Sequence, residues 1–277
     1  MSGWLPGVLR MLWGVLIAVA VFYLGAMLFL FTQQRKIVFH PDQTLATIAD
    51  YPNPAGLKAV TNRTADGLEI VSWYLPPQRT DGQTIVYFHG NAGHHGGRVE
   101  RIIPYAAKGY GILLVGYRGY GGNPGMPTEA GLYEDARAAL GFLQDQGVRP
   151  EQLILFGESL GAAVATQMAI ERPARALILE APFASILHSA RQRYRYLAFD
   201  FLVRDKFDTL AKIGRIGKPL LLIHGDLDRT TPARFGHLVF DAASEPKQGF
   251  FPPLAGHNDL MQHGMPARVL AFLDGLS

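Results

Sequence analysis

From residue 70 to residue 272 the chain alternates short apolar runs with longer amphipathic stretches. Thr84–Phe88, residues 153–156 and 176–179, and Leu220–Ile223 are apolar or nearly so, and their length predicts strands buried on both faces. Residues 162–171 carry the small and apolar side chains of a helix that packs closely on a sheet. A last apolar run at 249–251 precedes a helical pattern that continues to the C-terminus. This unbroken alternation predicts a single doubly wound, mostly parallel sheet with helices on both faces.

The N-terminus follows a different pattern. Residues 11–31 contain no charge, and a helix of that length spans about 32 Å, close to the hydrocarbon thickness of a bilayer. Their twelve Leu, Ile, Val and Phe residues contribute roughly −4 to −7 kcal/mol on the insertion scale. A cleavable signal peptide is the competing reading, but the run is long for one and ends without a clear small-residue cleavage site. An uncleaved single-pass anchor is therefore expected, in the inner membrane if the chain is bacterial. Arg10 flanks one end and Arg35 with Lys36 the other, so the positive-inside rule leaves orientation open. Arg35, Lys36, Pro41, Pro52 and Pro54 read as a tether lying near the headgroups.

Candidate chemistry lies at the ends of the apolar runs. Gly157-Glu158-Ser159-Leu160-Gly161 places a hydroxyl between two glycines where a strand passes into a helix. Such an elbow holds a serine in a strained conformation with its hydroxyl exposed, and side chains at the glycines would collide with strand and helix. A nucleophilic serine needs a base, and the base needs an orienting carboxylate; in this kind of fold they follow in the order acid, then histidine. Strand Leu220–Ile223 runs into a segment with Asp226 and Asp228, and His257 stands beside Gly256 after the last apolar run. His263 also follows that run but falls within the terminal helical pattern. The backbone N–H groups of Leu160 and of Asn91, in the loop after Thr84–Phe88, are the expected oxyanion donors.

These segments, with 88–93 (Phe-His-Gly-Asn-Ala-Gly), 117–121 (Tyr-Arg-Gly-Tyr-Gly), Pro127, Glu129, Gly131-Leu132-Tyr133 and Asp135-Ala136, resemble the membrane-anchored branch of the serine α/β hydrolases. That branch holds depalmitoylase-like and lysophospholipase-like enzymes with serine aminopeptidase-like relatives. The resemblance runs from about residue 60 to the C-terminus and implies Ser159, Asp228 and His257 as a catalytic triad, with Asp228 chosen over Asp226. Together with the apolar N-terminal run, this gives an expected anchor at 1–32, a juxtamembrane linker at 33–59 and an α/β-hydrolase catalytic domain at 60–277. One departure is Gly116, where relatives often carry Asp.

Residues 182–219 occupy the usual place of a lid, and Arg191, Arg193, Tyr194, Arg195, Tyr196, Phe199, Phe201 and Leu202 crowd its middle. They border an acyl pocket near a lipid surface or form an ordinary half-buried helix. Arg118, at a strand end, is expected in a structural ion pair in preference to a substrate contact. His89, His94 and His95 lack a nearby acid or cysteine to complete a metal site, and the chain contains no cysteine. No cofactor or metal is expected. A net charge of +3 without a basic run suits an anionic membrane surface and gives no nucleic-acid partner. The expected activity is hydrolysis of acyl esters or thioesters, lipids among them. The alternatives are a peptidase of the same fold and a non-catalytic membrane scaffold.

Overall fold

The computed structural model describes residues 5–52, 56–194 and 200–276. The apolar runs become the centre of one eight-stranded sheet. Its strands are β1 Lys58–Arg63, β2 Glu69–Leu75, β3 Thr84–Phe88, β4 Gly111–Leu114, β5 Leu153–Glu158, β6 Ala176–Glu180, β7 Leu220–Ile223 and β8 Lys247–Phe250. They lie in the order β1-β2-β4-β3-β5-β6-β7-β8. The β1/β2 and β2/β4 pairs are antiparallel and the others parallel.

Strand alternation divides the core in two. Val86 and Phe88 of β3 face one layer with Leu155, Leu177 and Leu222. Ile85 and Tyr87 face the other with Ile154, Ile178 and Ile223. Helices α3 (Glu129–Asp145), α4 (Leu160–Glu171) and α7 (Ala233–Ala242) supply the first layer, and α2 (Val99–Ala106) and α8 (Met265–Asp274) the second. Central strands β3, β4 and β7 are buried along their whole length, which is why they read as continuous apolar runs.

Helix α1 covers Leu5–Val38 and is long and apolar enough to cross a membrane, with a mean hydropathy of 2.5. It does not end where the apolar run ends. Gln33, Gln34, Arg35 and Lys36 are good helix formers with no Gly or Pro among them, so they carry the helix on into the segment expected as linker. Arg35 pairs with Asp205 at 2.9 Å, an ion pair that the sequence did not signal. Phe39 then enters the core against Phe207, and His40–Pro41 pairs in parallel with Ala92–Gly93. Pro54 lies outside the described residues.

Gly116 has a local explanation. A Cβ there would come within 1.9 Å of the Val71 carbonyl oxygen, so no side chain fits. The lid region holds α5 (Ile186–Arg193) and α6 (Leu210–Ile213). Arg191 pairs with Asp200 and Phe201 is exposed; Arg195, Tyr196 and Phe199 lie outside the described residues.

Candidate active site

The elbow is built by close packing. Ser159 joins β5 to α4 at φ 50 and ψ −111, a backbone conformation that stores strain for any residue with a Cβ. Its N–H donates to the Glu180 carbonyl at 2.8 Å, which fixes the turn to the neighbouring strand. A Cβ on Gly157 would come within 2.4 Å of the Gly161 oxygen, and one on Gly161 within 1.9 Å of the Phe88 oxygen. Both glycines are therefore steric requirements of the turn.

Leu160 opens α4, and the first N–H groups of a helix have no intrahelical acceptor. The loop carrying Asn91 lies against the serine, since a Cβ on Gly90 would sit 3.5 Å from Ser159 Cβ. Asn91 is held from several sides. Its carbonyl accepts from His40 N–H at 3.0 Å and from the Tyr120 hydroxyl at 3.0 Å, and its side-chain amide donates to the Val38 carbonyl at 2.9 Å. Asn91, Ser159 and Leu160 line one cleft with Phe183, Ile186, Thr230 and Thr231.

Asp228 and His257 come together. His257 Nδ1 donates to Asp228 Oδ2 at 2.6 Å, and Nε2 makes no hydrogen bond to a described residue. The N–H groups of Thr230 and Thr231 donate to Asp228 Oδ1 at 2.8 and 2.7 Å. Burial alone would raise the Asp228 pKa, but hydrogen bonds from His224 and His257, the His257 charge and the Thr231 N–H outweigh it and hold the carboxyl well below its ordinary value. The two loops are joined directly: Leu227 N–H donates to the Ala255 carbonyl at 2.9 Å, and a Cβ on Gly225 would come within 2.3 Å of the same oxygen. Ser159 Oγ makes no hydrogen bond to a described residue. Asp226 points elsewhere, half-exposed and 3.9 Å from His237. His263 lies in a 3-10 turn before α8, 3.7 Å from Asp259.

Sequence reasoning gave no role to two sets of residues. His224, fully buried, directs Nε2 at the Thr231 carbonyl at 2.8 Å and lies 3.2 Å from Asp228 Oδ2, so it braces the acid from behind. Its place at the end of β7, four residues before Asp228, was the available signal. The second set sits under the elbow. Glu158 accepts two hydrogen bonds from Arg98, at 3.0 and 2.8 Å, and one from the Tyr87 hydroxyl at 3.0 Å. Arg101 bonds Tyr87 and the fully buried Glu180. Burial works against a charged Glu158, yet the two arginines overcome it and bring its pKa to about 2, while burial pushes Glu180 up.

The remaining candidates have structural partners. Arg118 binds Asp135 and Asp66. His89 packs on Tyr117 and Tyr120 and donates to the Gly90 carbonyl at 2.8 Å, and His95 packs edge-on against Trp73. Burial lowers the pKa of all three neighbouring histidines, that of His95 to about 3. Among the described residues no cluster of His, Cys, Asp and Glu could hold a metal ion.

The family model for serine aminopeptidase, S33, matches residues 80–204. Protein Rv2307c of Mycobacterium tuberculosis is 38% identical over 247 residues, covering 88% of each chain. The chain belongs to the serine α/β hydrolases. Lysophosphatidylserine lipase ABHD12 of Danio rerio is 33% identical over 196 residues, 63% of this chain and 51% of that one. The Pyrococcus furiosus esterase Pf2001 superposes with a TM-score of 0.67 over 86% of this chain and 97% of its own, at 20% identity. That likeness is one of fold.

Proposed function

We propose that this chain is a membrane-anchored hydrolase of carboxylic ester or thioester bonds in acyl substrates, working through Ser159, His257 and Asp228. The observation that carries the reading is the 2.6 Å hydrogen bond from His257 to Asp228, in a molecule that also holds Ser159 at φ 50. Asp228 fixes the imidazole tautomer with the proton on Nδ1, so Nε2 is a lone-pair acceptor. Ser159 Oγ adds to the substrate carbonyl while Nε2 takes its proton, through a contact that forms when substrate is bound. The carbonyl oxygen becomes an oxyanion held by the N–H groups of Asn91 and Leu160. Collapse expels the alcohol or thiol, which takes the proton from His257. Water then adds to the acyl-enzyme by the same route and releases the acid.

Helix α1 supports the anchor: from Val8 to Phe29 it presents large apolar side chains outward, a surface suited to lipid. On this reading residues 1–32 form the membrane segment, and the domain from residue 60 carries the chemistry.

A fluorophosphonate probe tests the assignment. We expect one adduct on full-length protein, mapping to Ser159 and lost in Ser159→Ala; folded protein that takes no label refutes it. The serine aminopeptidase model that matches residues 80–204 favours a second reading, a peptidase with the same machinery. A panel of acyl esters, thioesters and aminoacyl amides separates the two. The reading proposed here requires ester or thioester turnover to exceed amide turnover.

A further inference from the structure

The membrane helix is fastened to the lid region at its C-terminal end. Gln34 donates to the Leu202 carbonyl at 3.2 Å and accepts from Arg204 N–H at 2.8 Å. Arg35 pairs with Asp205, and the Arg204 guanidinium lies 4.1 Å from the Phe31 ring centroid. Asp205 in turn accepts the Glu129 N–H at 2.8 Å. These bonds set the helix at a fixed distance from α5, and an apolar cleft remains between them. Met27, Leu30 and Phe31 form one wall, and Ile186, Ala190 and Tyr194 the other.

This cleft adjoins the one that holds the serine and shares part of its lining. Ile37, Val38, Ile186, Ala190 and Tyr194 line both. Along the helix, Met27 stands about 16 Å from Val38, at 1.5 Å per residue. Met27, Leu30 and Phe31 belong to the last turns of the uncharged stretch 11–31, the part of the chain that matches a bilayer core. One end of the apolar path is thus at lipid depth and the other at Ser159.

Resting on the esterase reading above, we propose that this path is the acyl-chain site: a long-chain acyl substrate resident in the membrane slides along α1 to the serine. Helix α1 is then a wall of the substrate site as well as an anchor. The substrate class is a long-chain acyl ester or thioester, its chain drawn sideways out of the bilayer and its reacting carbonyl delivered at the Asn91–Leu160 end. A mere packing gap between helix and domain would impose no chain-length preference.

The test uses the full-length protein in detergent micelles, with p-nitrophenyl butyrate and p-nitrophenyl palmitate as probes. Leu30→Trp and Ala190→Trp fill the path from opposite walls. Each is expected to lower kcat/KM for palmitate about tenfold more than for butyrate. An unchanged palmitate-to-butyrate ratio in both variants, with native circular dichroism, overturns the proposal. A second measurement needs no substitution. A long-chain alkyl fluorophosphonate with a terminal diazirine is loaded on Ser159 and irradiated. Crosslinks to α1 within residues 27–38 are the expected result, and crosslinks confined to other elements overturn it. Failure of the unsubstituted protein to cleave butyrate or take the probe is a different outcome, which would remove the esterase reading itself.

Discussion

At Gly161 a Cβ would stand 1.9 Å from a backbone oxygen, so the residue is fixed by contact with β3, whatever its neighbours do. Gly161→Ala is expected to destabilise the fold by about 3 kcal/mol or more, because the clash is with backbone that cannot rotate away. Gly141 on α3 meets nothing within 4 Å, and Gly141→Ala should stabilise by roughly 0.5–1 kcal/mol through helix propensity. Thermal or urea unfolding of the two variants checks both signs. In the proposed mechanism Asp228 acts through His257, to which it is hydrogen-bonded. Asp228→Asn keeps the shape but favours the wrong imidazole tautomer, and kcat for a short ester should fall by about four powers of ten. A folded variant that retains most of its activity would remove Asp228 from the mechanism.

Among the elements, the junction of β5, β6 and α2 joins the half-buried Glu158 and the buried Glu180 to two arginines. The folded pKa of Glu158 lies below its unfolded value, at about 2. The stability it contributes is therefore present above the unfolded carboxylate range and is lost as pH falls from about 5 toward 2. Glu158→Gln should flatten the fall in unfolding free energy over that window; a variant with the unsubstituted slope would show that the network does not carry it. This network was illegible in the sequence because Arg98 and Glu158 are far apart along the chain, and only the sheet brings them together. The strands were legible for the opposite reason. Thr84–Phe88 and Leu220–Ile223 are buried on both faces, so burial itself wrote their boundaries. Leu153–Glu158 extends beyond the apolar run, because Gly157 and Glu158 keep strand geometry up to the elbow.

For the whole molecule, an apolar N-terminal helix could be read from composition, but its docking could not. The ion pair of Arg35 was illegible because its partner, Asp205, lies far along the chain in a segment with no local signal. That helix meets the proposed site twice, through lining residues common to its cleft and the Ser159 cleft and through Val38, at its end, and His40, just beyond it, which hold Asn91. On the proposed reading, displacing α1 would therefore disturb both the acyl path and the loop that carries Asn91. All of this presumes that Ser159 is the nucleophile. The most direct measurement is turnover of p-nitrophenyl butyrate by full-length protein carrying Ser159→Ala. The expected result is a fall in kcat of about four to six powers of ten with the fold intact, and hydrolysis at the unsubstituted rate would contradict the account.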